Sequence, residues 1–359
     1  MSGRQATRWT GRRRRTLRRC VGLMIALVVM LMMMRVVDVI IVRVSHKALA
    51  IPWTSVSARA DDLWSDLPLK CKRRLVGSMP TEGSDAWELV RARSVSYANM
   101  GREARERGIA AFDVNARATQ GLRVDDMFTR DGDGKIKPNL LHLDVPVRAI
   151  VIPFPVGVVS AMLHRGTLKH LAKFGFQEDV DVYVQNEEMF HASMFHASHH
   201  IEEHAVSASE ALEEERRIRS ITTKFCPINA VLERVTVTSG GVVLAGWQVA
   251  RDTWNSKSGE PSEFRAALRD ALPKSPTKQL VSDVNIIHTT LARLTRPPKG
   301  RRGDDGRLAK DLAFALTDEL CGLEITLDRA WFVREHHKLA LALRGAVDKV
   351  DMPFECHSH

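Results

Sequence analysis

The stretch IHTTLAR at residues 287–293 decides how this sequence is interpreted. Its β-branched and apolar residues predict a strand, on which His288 and Thr290 share one face because side chains alternate with a period of two. The stretch FHASMF at residues 190–195 repeats the pattern with His191 and Ser193. We therefore expect two strands that each present one imidazole and one hydroxyl to the same side.

Similar successions of helices and strands surround the two stretches. The β-branched run 147–152 ends at Pro153 and predicts a strand, and apolar residues at helical spacing over 158–171 predict a helix. The other predicted elements are strands at 180–184, 189–195 and 281–294, helices at 86–107, 201–221, 263–272 and 307–320, a hairpin over 232–249 turned at Gly240-Gly241, and closing strands at 323–333 and 338–343. This order predicts an α+β, bilobal fold of two pseudo-symmetric lobes, each an antiparallel sheet with helices.

Two histidines and two hydroxyls are the groups that phosphodiester chemistry needs. A neutral imidazole can deprotonate the attacking hydroxyl or water, and a protonated one can donate to the leaving oxygen. His191 and His288 are therefore the candidate acid/base pair, and the similarity of their motifs leaves open which is the acid. Ser193 and Thr290 are the candidate phosphate-binding residues. This chemistry demands no metal ion and no other cofactor.

The order of these elements resembles the two-histidine phosphoesterase superfamily over residues 145–347. The stretch VRAIVIPFP at 147–155 is similar to that family's opening strand, and HTTLAR at 288–293 closely matches its second motif. The stretch MFHASHH at 194–200 is similar to plant proteins described as RNA ligase/cyclic nucleotide phosphodiesterase-like. The resemblance implies metal-independent cleavage of a 2′,3′-cyclic phosphate or a related nucleotide or RNA-end phosphodiester.

The first motif can be aligned in two frames. Besides His191 and Ser193, the sequence offers His196 and Ser198 at the same spacing. We prefer the earlier frame because the residues after Ser193 match the hydrophobic continuation of the family motif. The later frame stays open as the alternative.

The N-terminus predicts a membrane anchor. Eight arginines lie within the first 20 residues, and an apolar run then continues to residue 42, interrupted by Arg35 and Asp38, which can pair at the i, i+3 spacing. The positive-inside rule places residues 1–20 in the cytosol and the large domain on the non-cytosolic side, in the endomembrane system. A cleaved signal peptide, with Ala48-Leu49-Ala50 as an imperfect cleavage site, and organelle import are the alternatives.

The sequence thus divides into a basic tail (1–20), a transmembrane signal anchor (21–44), a stem or linker with short elements (45–144), the two-histidine domain (145–350) and a tail (351–359). Without the eight N-terminal arginines the formal charge falls from +10 to +2, which argues against duplex DNA as a partner. We expect a membrane and a phosphodiester substrate as partners, and a monomer. Five cysteines without short repeated spacing leave the redox compartment undecided.

Other patterns favour different functions less strongly. His200-Ile201-Glu202-Glu203-His204 has the H-x-x-E-H spacing of a zinc peptidase, but the residues that follow are too polar for the buried helix that such a site needs. Asp131-Gly132-Asp133-Gly134 lacks the ligands of a calcium loop and predicts a turn. A non-catalytic, membrane-anchored scaffold that keeps the fold is the alternative to an enzyme. A type II glycosyltransferase fits the anchor and stem, although nothing after the stem resembles a nucleotide-sugar fold.

Overall fold

The computed structural model describes residues 63–250, 259–300 and 303–357. Its first elements are the helices α1 (Leu69–Ser78), α2 (Asp85–Met100) and α3 (Arg102–Arg107), a 3-10 helix (Ala110–Phe112), the strands β1 (Arg117–Thr119) and β2 (Leu122–Arg123), the helical turn α4 (Val124–Met127), and the strands β3 (Phe128–Arg130) and β4 (Ile136–Pro138).

The elements that carry the motifs follow in order. They are β5 (His142–Pro153), α5 (Val158–Lys173), β6 (Val182–Val184), a 3-10 helix (Glu187–Met189), β7 (His191–Ser198), α6 (Ala208–Thr222), β8 (Ile228–Val237), β9 (Val242–Val249), α7 (Pro261–Ala271), β10 (Ile287–Leu294), α8 (Asp305–Leu320), β11 (Glu324–Leu327), β12 (Arg329–His337), α9 (Ala340–Leu343) and β13 (Val347–Pro353).

Two antiparallel sheets form the centre of the fold. The first has the strand order β13-β12-β5-β7 and the second β11-β8-β9-β10-β6. Each contains one histidine strand, β7 or β10, and these two strands pack against each other. The predicted α+β class with antiparallel sheets is confirmed. The halves also exchange strands, because β6 lies beside β10 and β12 lies beside β5.

Helices α1 and α2, in the segment that the sequence predicts as a stem, pack against the second sheet. Helix α2 packs on β8 and β9. Its Tyr97 is fully buried, and Arg93 on the same helix pairs with Glu260 and donates to the side-chain oxygen of Gln248 at 3.2 Å. A helix that buries polar side chains lacks the apolar stripe by which packed helices are recognised. The weak periodicity of this segment therefore concealed its packing.

Several predicted elements differ from the structure. The strand predicted at 281–294 begins only at Ile287, and the strand predicted at 323–333 is divided into β11 and β12. The helix predicted over 201–221 begins only at Ala208, because Ser207 and Glu210 form a capping box there. The strand predicted at 338–343 is the helical turn α9, flanked by Leu339 and Arg344 with positive φ. The last strand is β13, which extends into the predicted tail.

Two disulfides tie distant parts of the described chain together. Cys71 of α1 is bonded to Cys321 at the end of α8, 250 residues away, and Cys226 is bonded to Cys356, 130 residues away. Partners so far apart are brought together by the fold, so their spacing along the chain carries no sign of the pairing.

Within the described ranges, no helix is long and apolar enough to cross a bilayer. The predicted basic tail 1–20 and the predicted anchor 21–44 lie outside those ranges.

Candidate active site

A cavity of about 380 Å³ lies at the junction of the two histidine strands. His191 and Ser193 line it from β7, and His288 and Thr290 line it from β10. Side chains two apart on a strand share a face. The structure thus brings the four residues of the preferred frame to one cavity.

Each histidine strand carries a β-bulge directly after its hydroxyl residue. The extra residue is Met194 where β7 pairs with β5, and Leu291 where β10 pairs with β9. An extra residue interrupts the regular alternation of side chains, so the third residue after the hydroxyl returns to the cavity. These residues are His196 and Arg293, and both line it.

The alternative frame does not bring its hydroxyl to the cavity. The Ser198 hydroxyl accepts from the Arg148 N–H at 3.1 Å and donates to the Pro146 carbonyl at 3.2 Å. His196 lies in the cavity wall, but its side chain is only 6% exposed, and burial, together with the nearby His199, lowers its pKa to about 3. His196 is therefore neutral at physiological pH and has no hydroxyl beside it from its own frame.

The two histidines of the preferred frame have different surroundings. His191 Nδ1 donates to the Met189 carbonyl oxygen at 2.8 Å, which leaves Nε2 as the free nitrogen of the neutral ring. Burial lowers the pKa of His191, and this hydrogen bond opposes the shift. Burial, then the Arg265 charge and His191, lower the pKa of His288 to about 4. A bound anion would raise both pKa values.

Arg293 is a buried cation without a carboxylate partner among the described residues. Its side chain is 8% exposed, its Nε has no hydrogen-bond partner, and one terminal nitrogen donates to the Thr119 hydroxyl at 3.4 Å. Burial lowers its pKa to about 10, which still leaves it charged at neutral pH. An unpaired buried charge is costly, so this end of the cavity favours an anionic ligand.

Other cavity residues were not predicted from the sequence. Glu335 of β12 accepts from the Leu341 N–H at 2.8 Å, and burial raises its pKa to about 7. Thr119 and Gln120 come from the β1–β2 hairpin, in the segment predicted as a stem. Arg293 follows Thr290 by three positions, as His196 follows Ser193, and regular alternation would have placed both on the opposite face of their strands.

The two competing metal motifs take ordinary conformations. His200 and His204 precede α6 and do not share a helical turn. Asp131 Oδ1 accepts from the N–H groups of Asp133 and Lys135, which makes the predicted turn. Among the described residues, no group of three or more histidine, cysteine, aspartate or glutamate side chains is arranged to hold a metal ion.

No family model and no curated protein matches the chain. Similar solved structures include TT0787 of Thermus thermophilus (13% identity, TM-score 0.37, 58% of this chain and 98% of that chain) and LigT of E. coli in complex with NADP+ (11%, 0.32, 58% and 96%). Usb1 of Kluyveromyces marxianus with uridine monophosphate is another (9%, 0.34, 58% and 97%).

Proposed function

We propose that this protein is a two-histidine phosphodiesterase that cleaves a 2′,3′-cyclic phosphate or a related nucleotide or RNA-end phosphodiester without a metal ion. One observation carries the proposal. A single cavity holds two His-x-Ser/Thr pairs together with Arg293, a buried cation that has no carboxylate partner in the described chain. A phosphate group supplies the missing negative charge, and the histidines supply acid/base catalysis.

The surroundings of the two histidines favour different roles. His288 has its pKa lowered to about 4 and is suited to act as the base. His191, whose ring is supported by the Met189 carbonyl, is suited to hold the proton. The hydroxyls of Ser193 and Thr290 and the Arg293 guanidinium bind the non-bridging phosphate oxygens.

The proton and bond changes balance in this assignment. A water molecule gives a proton to His288 as its oxygen attacks phosphorus. The bond from phosphorus to one ribose oxygen breaks, and that oxygen takes the proton of His191. The product is a phosphate monoester with a free neighbouring hydroxyl. Return of the proton from His288 to His191 through solvent restores the starting state.

A chelator assay tests the activity. Purified protein is incubated with nucleoside 2′,3′-cyclic phosphates and with linear diesters in excess EDTA. Cleavage that resists the chelator supports the proposal. Cleavage that the chelator abolishes would indicate a metal-dependent phosphodiesterase, and failure to cleave any diester favours the non-catalytic scaffold.

A leaving-group comparison tests the two histidine roles. In a p-nitrophenyl phosphodiester, the leaving group is weakly basic and departs with little protonation of its oxygen. The His191→Ala variant should therefore recover most of its lost rate on such an ester, whereas His288→Ala should remain slow on both substrates. The opposite pattern would exchange the two roles.

We further propose that the protein is anchored in a membrane with its large domain on the non-cytosolic side. The arginine-rich N-terminus supports this orientation, and the disulfides Cys71–Cys321 and Cys226–Cys356 are typical of oxidising compartments. Carbonate extraction should leave the full chain with membranes, and deletion of residues 1–44 should release it. Protease protection of the large domain in sealed vesicles tests the orientation. Digestion of that domain by protease added outside would mean that the domain faces the cytosol.

A further inference from the structure

The guanidinium of Arg265 joins the two histidine strands from behind the cavity. Arg265 lies on α7 and is 5% exposed. It donates to carbonyl oxygens of β7, from Nε to Met194 at 2.9 Å and from a terminal nitrogen to Ser193 at 3.1 Å. The same side chain also reaches the residues that lead into β10.

The second set of contacts lies just before His288. One terminal nitrogen of Arg265 donates to the Val284 carbonyl at 2.6 Å, and the other donates to the Ile286 carbonyl at 2.9 Å. A planar guanidinium has five N–H donors in a fixed fork. It can therefore hold four carbonyl oxygens from two chain segments in one geometry.

The β7 contacts coincide with the bulge. Ser193 and Met194 stand where β7 has one residue more than its partner strand, and a bulge locally disrupts the hydrogen-bond ladder. At the matching bulge on β10, the Leu291 carbonyl accepts from the backbone N–H of Gln185 at 2.9 Å. At the β7 bulge, by contrast, the supporting group is the Arg265 side chain, which also reaches the residues before His288.

We propose that Arg265 is a positioning residue of this site, whose guanidinium ties the His191 strand to the His288 strand and sets the distance between the two imidazoles. This inference rests on the proposed function. Arg265 does not line the cavity that would receive the substrate. It acts through the backbone that carries Ser193 and His288.

The four hydrogen bonds of Arg265 to carbonyl oxygens form a bridge between the two strands. The positive charge of Arg265 has a second effect, on His288. No carboxylate within the described chain forms an ion pair with it, and burial lowers its pKa to about 10, so it remains a cation at neutral pH. This charge and His191 lie near His288 and help burial to lower its pKa. The other charged or titratable side chains that line the cavity are Arg293, His196, His200, Asp283 and Glu335.

Two substitutions separate geometry from charge. Arg265→Lys keeps the positive charge but cannot reach four carbonyls at once, whereas Arg265→Gln removes the charge as well. Both should lower kcat by about 10²-fold with little change in KM, because small misplacements of catalytic groups have effects of that size. The pKa of His288, followed by NMR, should rise in Arg265→Gln and stay near its wild-type value in Arg265→Lys.

Arg269→Lys is the matched control on the same helix. Arg269 binds Ser275, with a hydrogen bond of 2.8 Å to its hydroxyl, and lies 4.8 Å from the centre of the Phe195 ring. Its other hydrogen bonds go to the carbonyl oxygens of Ser275 and Thr277. The control should retain both the wild-type kcat and the wild-type pKa of His288.

The wild-type protein provides a measurement that does not depend on the folding of any variant. In a bridge to four carbonyls, the terminal N–H groups of Arg265 should give separate, slowly exchanging NMR signals. Averaged and rapidly exchanging signals would overturn the proposal, as would kcat values of both variants within about threefold of wild type. If the wild type cleaves no diester, the proposed function fails, while the guanidinium signals and the pKa of His288 still test the bridge.

Discussion

Arg293 and His196 occupy the same place in the two motifs, yet their chemistry differs. Both stand three positions after the hydroxyl residue and both line the cavity. Burial keeps His196 neutral by lowering its pKa to about 3, whereas Arg293 stays charged with a pKa of about 10. The positive charge of the cavity therefore comes mainly from the β10 side. A phosphate bound as we propose should therefore lie closer to Arg293 than to His196.

Substitution of Arg293 should weaken phosphate binding. Arg293→Gln removes the unpaired guanidinium, and we expect the affinity for inorganic phosphate or the monoester product to fall by about 10-fold or more, since hydrogen bonds to charged groups contribute about 1.5–3 kcal/mol. Isothermal titration calorimetry measures this affinity. Arg296→Gln is the control, because Arg296 pairs with Asp181 and lies outside the cavity lining. Equal affinities of the wild type and Arg293→Gln would contradict the role of Arg293.

The lowered histidine pKa values predict a particular pH dependence. In the free protein, burial lowers the pKa of both His191 and His288, the latter to about 4. A bound phosphodiester adds negative charge, which stabilises the imidazolium and raises both values. Because kcat/KM reports the free enzyme and kcat reports the complex, the bell-shaped curve for kcat should lie at higher pH than that for kcat/KM. Curves that coincide, or that shift in the opposite direction, would contradict this account.

At the scale of elements, the bulges decide which side chains reach the cavity. The alternation rule correctly relates His191 to Ser193 and His288 to Thr290, because no irregularity separates the residues of either pair. It fails beyond Met194 and Leu291, because a bulge depends on pairing with a strand that is distant along the chain. The motifs could therefore be read from the sequence, but the return of Arg293 to the cavity could not.

The docking of α2 on the second sheet also could not be predicted, and it can be tested at a close contact. A Cβ added to Gly246 of β9 would lie 2.7 Å from the ring of the buried Tyr97. Gly246→Ala should lower the free energy of unfolding by about 1–3 kcal/mol, the usual cost of overpacking. Gly132→Ala is the control, because nothing lies within 4 Å of its added Cβ. Chemical denaturation measures both changes, and equal stabilities would show that α2 does not pack here.

At the scale of the whole molecule, the two halves cannot be separated into independent lobes. Strands β12 and β13 from the end of the chain complete the sheet that contains β7, and β6 completes the sheet that contains β10. The Cys71–Cys321 disulfide adds a covalent link between the N-terminal segment and α8. The relative positions of the His191 and His288 side chains therefore depend on the completed fold.

Removal of this disulfide should destabilise the domain. Cys71→Ser with Cys321→Ser opens a link that spans 250 residues, and we expect the free energy of unfolding to fall by about 2–5 kcal/mol. Thermal and denaturant unfolding under non-reducing conditions measure the loss. Cys20→Ser is the control, because Cys20 belongs to the predicted N-terminal anchor. Unchanged stability in the double variant would argue against a structural role for the bond.

The most direct test of the two-histidine site is the rate at which the His288→Ala variant hydrolyses a nucleoside 2′,3′-cyclic phosphate. His288 lines the cavity from β10, and His191 lines it from the neighbouring strand β7, so we expect the variant to fold. Loss of a general base should lower kcat by about 10²–10⁴-fold, with a similar loss in His191→Ala and a much smaller one in His196→Ala. Full activity of a folded His288→Ala protein would contradict the two-histidine mechanism.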